Sequence, residues 1–180
     1  VIDMSHSAER STLEAIDISS RPIAITHANP HWWHPALRNK SDEVLKALGQ
    51  SSGMLGFSVY PHHLKDKSDC TLESFCGMIA KTADLMGADN IGIGTDLCQD
   101  QPDSVVEWMR VGRWTKEIDY GEGSASDAGF PPMPNWFKDN RDFDKIEQGL
   151  LDIGFSKDET AGIMGENWLR FYDTNFGPLK

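Results

Sequence analysis

No apolar run in the chain approaches the roughly 20 residues that a helix needs to cross a bilayer. Residues 1–20 also lack the basic-then-apolar order of a secretion signal. The chain has no initiator Met and opens inside an element, so any targeting segment is expected upstream. The compartment is left open, the cytoplasm being favoured over the alternatives. Cysteine is scarce. Cys70, Cys76 and Cys98 form an odd set without CxxC spacing, which fits neither a disulfide framework nor a zinc-thiolate site. They read as buried or free thiols. Basic residues are also few, 17 Lys and Arg against 28 Asp and Glu, for a formal charge of -11. That charge repels nucleic-acid phosphates and anionic membranes at long range, so neither is an expected partner. Small molecules and other proteins are left. "GIGTD" at residues 92–96 lacks the third glycine of a dinucleotide loop and is discounted.

Repeats, low-complexity tracts and dividing linkers are absent as well, so residues 1–180 read as one unit. Its 39% apolar content suits a globular chain with a real core. Short apolar runs alternate with amphipathic stretches, the pattern of an α/β protein with a parallel sheet. Four strand-then-helix units are expected. Strands are placed at Val1–Ser5, Pro22–Thr26, Met54–Tyr60 and residues 90–96, with helices near 8–18, 41–49 and 72–86 after the first three. Leu72, Phe75, Cys76, Ile79, Ala83 and Met86 recur at three- and four-residue spacing, one apolar face of a helix. From Cys98 to Asn140 the chain is irregular, with one short helix expected around Val105–Trp114 and the character of a binding element or lid. Two closing helices follow, Asp142–Ile153 and one opened by the capping-box pattern "SKDE" at Ser156, where Ile163, Trp168, Leu169 and Phe171 are expected to pack.

Polar residues collect where the strands end. "VIDMSH" ends on His6, "PIAITH" on His27, "IGIGTD" on Asp96, and "MLGFSVYPHH" runs through Tyr60 to His62 and His63. In a parallel barrel all strand C-termini share the face that carries active sites. Two neutral imidazoles suit a divalent metal such as zinc, and a nearby carboxylate can take a proton from metal-bound water. A lone strand-end histidine is more often a hydrogen-bonded structural residue, and Asp96 could simply cap a turn. In "HANPHWWHP", Pro30 and Pro35 frame a loop, so His31 and His34 have no fixed ligand spacing. With Trp32 and Trp33 they read as an aromatic pocket wall. "NKS" at Asn39 is a formal glycosylation sequon that arises often by chance.

The same segments resemble the membrane (renal) dipeptidases, metallohydrolases of the amidohydrolase superfamily. "IDMSH", "ITHANP", "RNKSDEVLKAL", "IGIGTDL" and "IMGENWLRFYD" follow the order and spacing of that family's C-terminal half. The resemblance implies the C-terminal half of a (β/α)8 TIM-type barrel, strands 5–8, with extra C-terminal helices. It implies a zinc cofactor, two ions per complete barrel, and a small dipeptide substrate. By position, His6 and His27 match two ligands of one zinc, and Asp96 the aspartate that shuttles protons and contacts the substrate amino group. Arg38, eleven residues after His27, matches the arginine that holds the dipeptide carboxylate, a task its planar fork suits. Tyr60 or His63 matches a further substrate contact. The family's His-x-Asp pair and bridging glutamate have no counterpart here, so the missing N-terminal half of the barrel is expected as a partner. A homodimer is left open. The rivals are a relative acting on another amide or ester, and a binding subunit that keeps the fold without the metal.

Overall fold

The computed structural model describes residues 1–99, 101–102, 104–105 and 130–177. Three parallel strands, β1 (Ala24–Ala28), β2 (Met54–Phe57) and β3 (Ile91–Ile93), lie side by side in sequence order. Helices α1 (Glu9–Ile18), α2 (Asp42–Gln50) and α3 (Leu72–Met86) alternate with them. Then come α4 (Phe143–Asp152), α5 (Lys157–Ala161) and α6 (Asn167–Phe176), the last two joined through a π-turn at Gly162–Glu166. Sequential parallel order with a helix between strands is the βα repeat that the alternation predicts.

The first expected strand is reduced to one bridge, Asp3 to Ala24, with Ala24 N–H donating to Ile2 O at 2.9 Å and Met4 N–H to Ala24 O at 2.8 Å. The cause is local. Asp3 Oδ1 accepts the N–H of Ser5 at 3.0 Å, an Asx turn that bends the chain, and also the N–H of Thr26 at 3.1 Å. A carboxylate therefore takes the donor that a longer strand would have met with a carbonyl. Of the other three, β1 is the expected second strand moved two residues on, and β2 and β3 are shorter than expected by ladder, yet their pairing runs on. Gly94 N–H donates to Phe57 O at 3.0 Å and Val59 N–H to Thr95 O at 3.0 Å, carrying the extended chain toward Tyr60 and Asp96.

The core sits between sheet and helices. Ile25, Leu55, Phe57 and Ile91 pack with Val44, Leu45 and Leu48 of α2, Phe75, Cys76 and Ile79 of α3, and Ile146 and Leu150 of α4. The helical starts follow their capping residues: Ser41 Oγ accepts Val44 N–H, Thr71 Oγ1 accepts Ser74 N–H, and Ser156 with Glu159 forms the expected capping box. Leu169, expected to pack, is 68% exposed, since α6 turns Trp168 and Phe171 inward instead. The helix expected around Val105–Trp114 lies, Val105 apart, outside the described residues. From Phe130 the chain returns to the core, where Phe137 is buried and Trp136 Nε1 donates to Cys70 O at 2.7 Å. Cys70 and Cys76 are buried free thiols, each pushed up to about 12 by burial first.

At the sheet's C-terminal end the backbones come close. A Cβ on Gly94 or Gly56 would fall onto the Thr26 carbonyl oxygen, so β1, β2 and β3 can converge there only with glycine at both positions. Gly94→Ala is expected to destabilise the protein by about 1–3 kcal/mol, the usual cost of overpacking a tight site. The midpoint of urea unfolding measures it, and an unchanged midpoint would show that the close approach is not needed.

Candidate metal and substrate site

His6 and His27 meet at the C-terminal end of the sheet. His6 lies in the turn after the Asp3 bridge, and His27 in β1 at a register irregularity between Ile25 and Ala28 that re-aims the side chain. Their Nε2 atoms are 3.0 Å apart and the rings are edge-on at 5.1 Å. Burial first, and then the Arg38 charge, lowers both pKa values below the ordinary 6.5, which keeps both rings neutral at pH 7. Arg38 Nη2 lies 3.0 Å from His6 Nδ1, and a guanidinium only donates. His6 Nδ1 therefore accepts, and its Nε2–H donates to His27 Nε2. His27 is then left with its proton on Nδ1, which meets Thr26 Oγ1 at 2.8 Å, and the Thr26 hydroxyl donates to Asp3 Oδ2 at 2.7 Å. This imidazole–hydroxyl–carboxylate relay fixes the His27 tautomer with its Nε2 lone pair facing His6, as the outer partners of a metal-ligating histidine do.

The nitrogen pair fits a shared metal. Two imidazoles on one tetrahedral zinc, at about 2.0–2.1 Å each, have nitrogens roughly 3.3 Å apart. The observed 3.0 Å is close to that span. No cluster of three or more metal-binding side chains occurs among the described residues, so those residues bring two imidazole donors where a catalytic zinc usually has three ligands.

The other expected site residues lie on the same face. Asp96 follows β3 in the left-handed conformation, φ 54°, the kind of backbone found at functional turns, and its charge reaches His6. Arg38 is nearly buried beside His6. Tyr60 is buried with its ring 5.1 Å from His63 and 5.7 Å from His62. The tryptophan loop goes elsewhere: Trp32 lies under the Lys81 ammonium, 3.9 Å from its ring centre, and Trp33 packs near Phe75. The Asn39 sequon is no glycan acceptor in this fold, because the side chain is buried and its Nδ2 donates to His34 O and His63 O.

Asn29 and Lys40 escape the sequence reading, and the hydrogen bonding of His63 goes beyond it. Asn29 is fully buried and ties Ser58 by both backbone groups and His63 by its carbonyl. Its signal is a single asparagine before a proline, indistinguishable from a turn residue. Lys40, nearly buried, donates to three carbonyls around His6; burial first, then Arg38, lowers its pKa to about 8. His63 Nδ1 pairs with Ser58 Oγ at 2.8 Å while its buried Nε2 meets no partner among the described residues.

A family model described as membrane dipeptidase, peptidase family M19, matches residues 1–118. The chain belongs to the membrane dipeptidase family. Dipeptidase tcpJ of Claviceps purpurea is 23% identical over 171 residues, 94% of this chain and 33% of its own length. A crystal structure of an amidohydrolase from Pseudomonas aeruginosa superposes with a TM-score of 0.84 at 28% identity, over 98% of this chain and 52% of that one. A metallo peptidase from Rhodobacter sphaeroides, liganded with a phosphinate mimic of the dipeptide L-Ala-D-Ala, shares the fold with a TM-score of 0.72 at 19% identity, over 96% of this chain and 41% of that one. The chain thus spans about a third of the curated dipeptidase and about half of the two solved structures.

The charge at this site has a consequence for stability. Burial first, and then Arg38 and the imidazoles of His27, His62 and His6, hold His63 well below 6.5. The unfolded chain takes up that proton near pH 6.5 and the folded chain does not, so stability falls as the pH drops below about 6.5. The slope is up to about 1.4 kcal/mol per pH unit for such a group. Urea unfolding at pH 7.5 and 5.5 checks this, with His63→Gln expected to flatten the dependence. A profile identical in the variant would rule His63 out as its source.

Proposed function

We propose that this chain, residues 1–180, supplies strands 5–8 of a zinc-dependent dipeptidase barrel. The observation that carries the reading is the His6–His27 nitrogen pair at one end of a parallel sheet, with Arg38 against it. The dipeptide-mimic complex of a fold relative supports the substrate class. The remaining metal ligands, and the strands that would cover the two outer edges of this sheet, come from the first half of the barrel in this reading. Zinc, two ions in the complete barrel, supplies Lewis acidity and a nucleophilic hydroxide at neutral pH when bound.

The chain's own residues do the rest. His6 and His27 hold one ion through Nε2. A ligating His6 carries its proton on Nδ1, where it opposes the Arg38 donor, so the guanidinium turns from His6 to an anion. The free carboxylate of a dipeptide is such an anion, and Arg38 binds it with a charge-assisted fork. Asp96 accepts a proton from the attacking water and pairs with the substrate amino group. Tyr60, packed against His62 and His63, supplies a further substrate contact in this reading. A cationic clamp and an anionic one, set one dipeptide apart, select short peptides with both ends free. The second reading, hydrolysis of another amide or ester with the same metal, draws on the Pseudomonas amidohydrolase likeness.

The full-length protein is expected to contain zinc and to hydrolyse free dipeptides faster than N-acetylated or C-amidated ones. Preference for a blocked substrate would favour the second reading, and a protein with neither zinc nor hydrolysis would end both. Arg38→Met should raise KM for free dipeptides by about 10- to 100-fold, the worth of a charged hydrogen bond, and leave dipeptide amides unaffected. Asp96→Asn should lower kcat by about 10²- to 10⁴-fold. Steady-state kinetics on paired free and amidated substrates measures both.

A further inference from the structure

Lys40 stands two residues beyond Arg38, and its side chain runs back to the His6 turn. Its ammonium donates to Met4 O at 3.2 Å, Ser5 O at 3.0 Å and Ser7 O at 2.9 Å. Those three bonds use all three N–H groups of a lysine, and the carbonyls flank His6 on both sides. The backbone of Lys40 is itself fixed to the end of β1. Its N–H donates to Asn29 O at 2.9 Å and its carbonyl accepts His31 N–H at 2.8 Å. Asn39 beside it is locked through Asn29 N–H, His34 O and His63 O.

His6, by contrast, is exposed, and the other ties of its turn to β1 lie on the N-terminal side of His6: Met4 N–H donates to Ala24 O at 2.8 Å, Asp3 accepts from Thr26, and Ser5 Oγ accepts His27 N–H at 3.1 Å. Ser7 N–H donates to Met4 O at 3.2 Å, and Ser5 is bound to Asp3. Lys40 is therefore a second link between the turn that carries His6 and the strand end that carries His27, and it reaches Ser7 O on the far side of His6. Nearly burying a lysine to do this is costly unless its charge is fully hydrogen-bonded, and three carbonyls meet that condition. A hydrophobic residue in its place would take this donor from the Ser5 and Ser7 carbonyls and leave Met4 O with the Ser7 N–H.

We propose that Lys40 is a positioning residue, whose ammonium gathers the Met4, Ser5 and Ser7 carbonyls and so holds the His6 imidazole at its spacing from His27. The metal part of this inference rests on the zinc-dipeptidase reading; the placement of His6 does not. Two readouts on the full-length protein separate them. In metal-free protein with labelled histidine, Lys40→Met should shift and broaden the His6 ring signals and leave those of His63 in place. Zinc affinity, measured by competition with a chelator, should fall at least tenfold. His6→Ala combined with Lys40→Met should bind zinc no more weakly than His6→Ala alone, because the two act through one ligand. Combined with His27→Ala, the losses should multiply.

Lys40→Gln, which keeps two N–H groups on a shorter arm, should fall between the parent and Lys40→Met and serves if the methionine variant does not fold. Unchanged His6 signals in a folded variant, or multiplying losses with His6→Ala, would overturn the proposal. A parent protein that binds no zinc would instead defeat the dipeptidase reading, and the His6 signals would still decide the role of Lys40.

Discussion

The site depends on one carboxylate. Asp3 accepts from Ser5 N–H, Ser5 Oγ, Thr26 N–H and Thr26 Oγ1, at 3.0, 2.6, 3.1 and 2.7 Å. Burial pushes its pKa up, but the bonds from Ser5 and Thr26 outweigh that and leave it below the ordinary carboxylate range. With its charge secured, Asp3 acts in two directions. Through Ser5 it bends the chain so that His6 leaves the sheet. Through Thr26 it sets the tautomer of His27. Ser5 Oγ, itself bound to Asp3, also accepts the His27 N–H at 3.1 Å. A single anion thus sets the bend that leads into His6 and which nitrogen His27 presents.

The same carboxylate explains why the first segment was misread as a strand. Residues 1–5 carry an apolar pair that suits a strand, but whether Asp3 offers its side chain to the neighbouring ladder depends on what Thr26 presents, which lies 23 residues away. The helix start at Ser156 was legible because capping is local, and Ser41 and Thr71 likewise bind within three residues in the structure. Burial of helix faces was legible from period, except at Leu169, where the choice between two adjacent apolar positions is made by the sheet rather than by the helix. His6, His27 and Asp96 were legible as strand-end residues because parallel order brings all such ends to one face.

Lys40, Asn29 and Asn39 were not legible for a different reason. Each is a polar residue whose usual place is a surface turn, and each is nearly or fully buried here because its donors find backbone carbonyls from another loop. No period or spacing in one sequence marks such a bond. The tryptophan loop shows the converse. Trp32 and Trp33 advertise a pocket by composition, yet their described partners are Lys81 and Phe75, so that the aromatic surface serves the α3 side of the core.

Electrostatics ties these features to chemistry. The chain as a whole carries -11, yet the face that bears His6 and His27 holds Arg38 and Lys40, both nearly buried. Their charges oppose protonation of the imidazoles and keep ring nitrogens available as ligands. Held unsatisfied, two buried cations would repel a metal ion as well as a proton. Three backbone carbonyls meet the charge of Lys40, and Arg38 donates to the neutral His6 imidazole. The lysine charge is therefore met by the backbone of the His6 turn, while the arginine two residues before it faces the His6 ring itself.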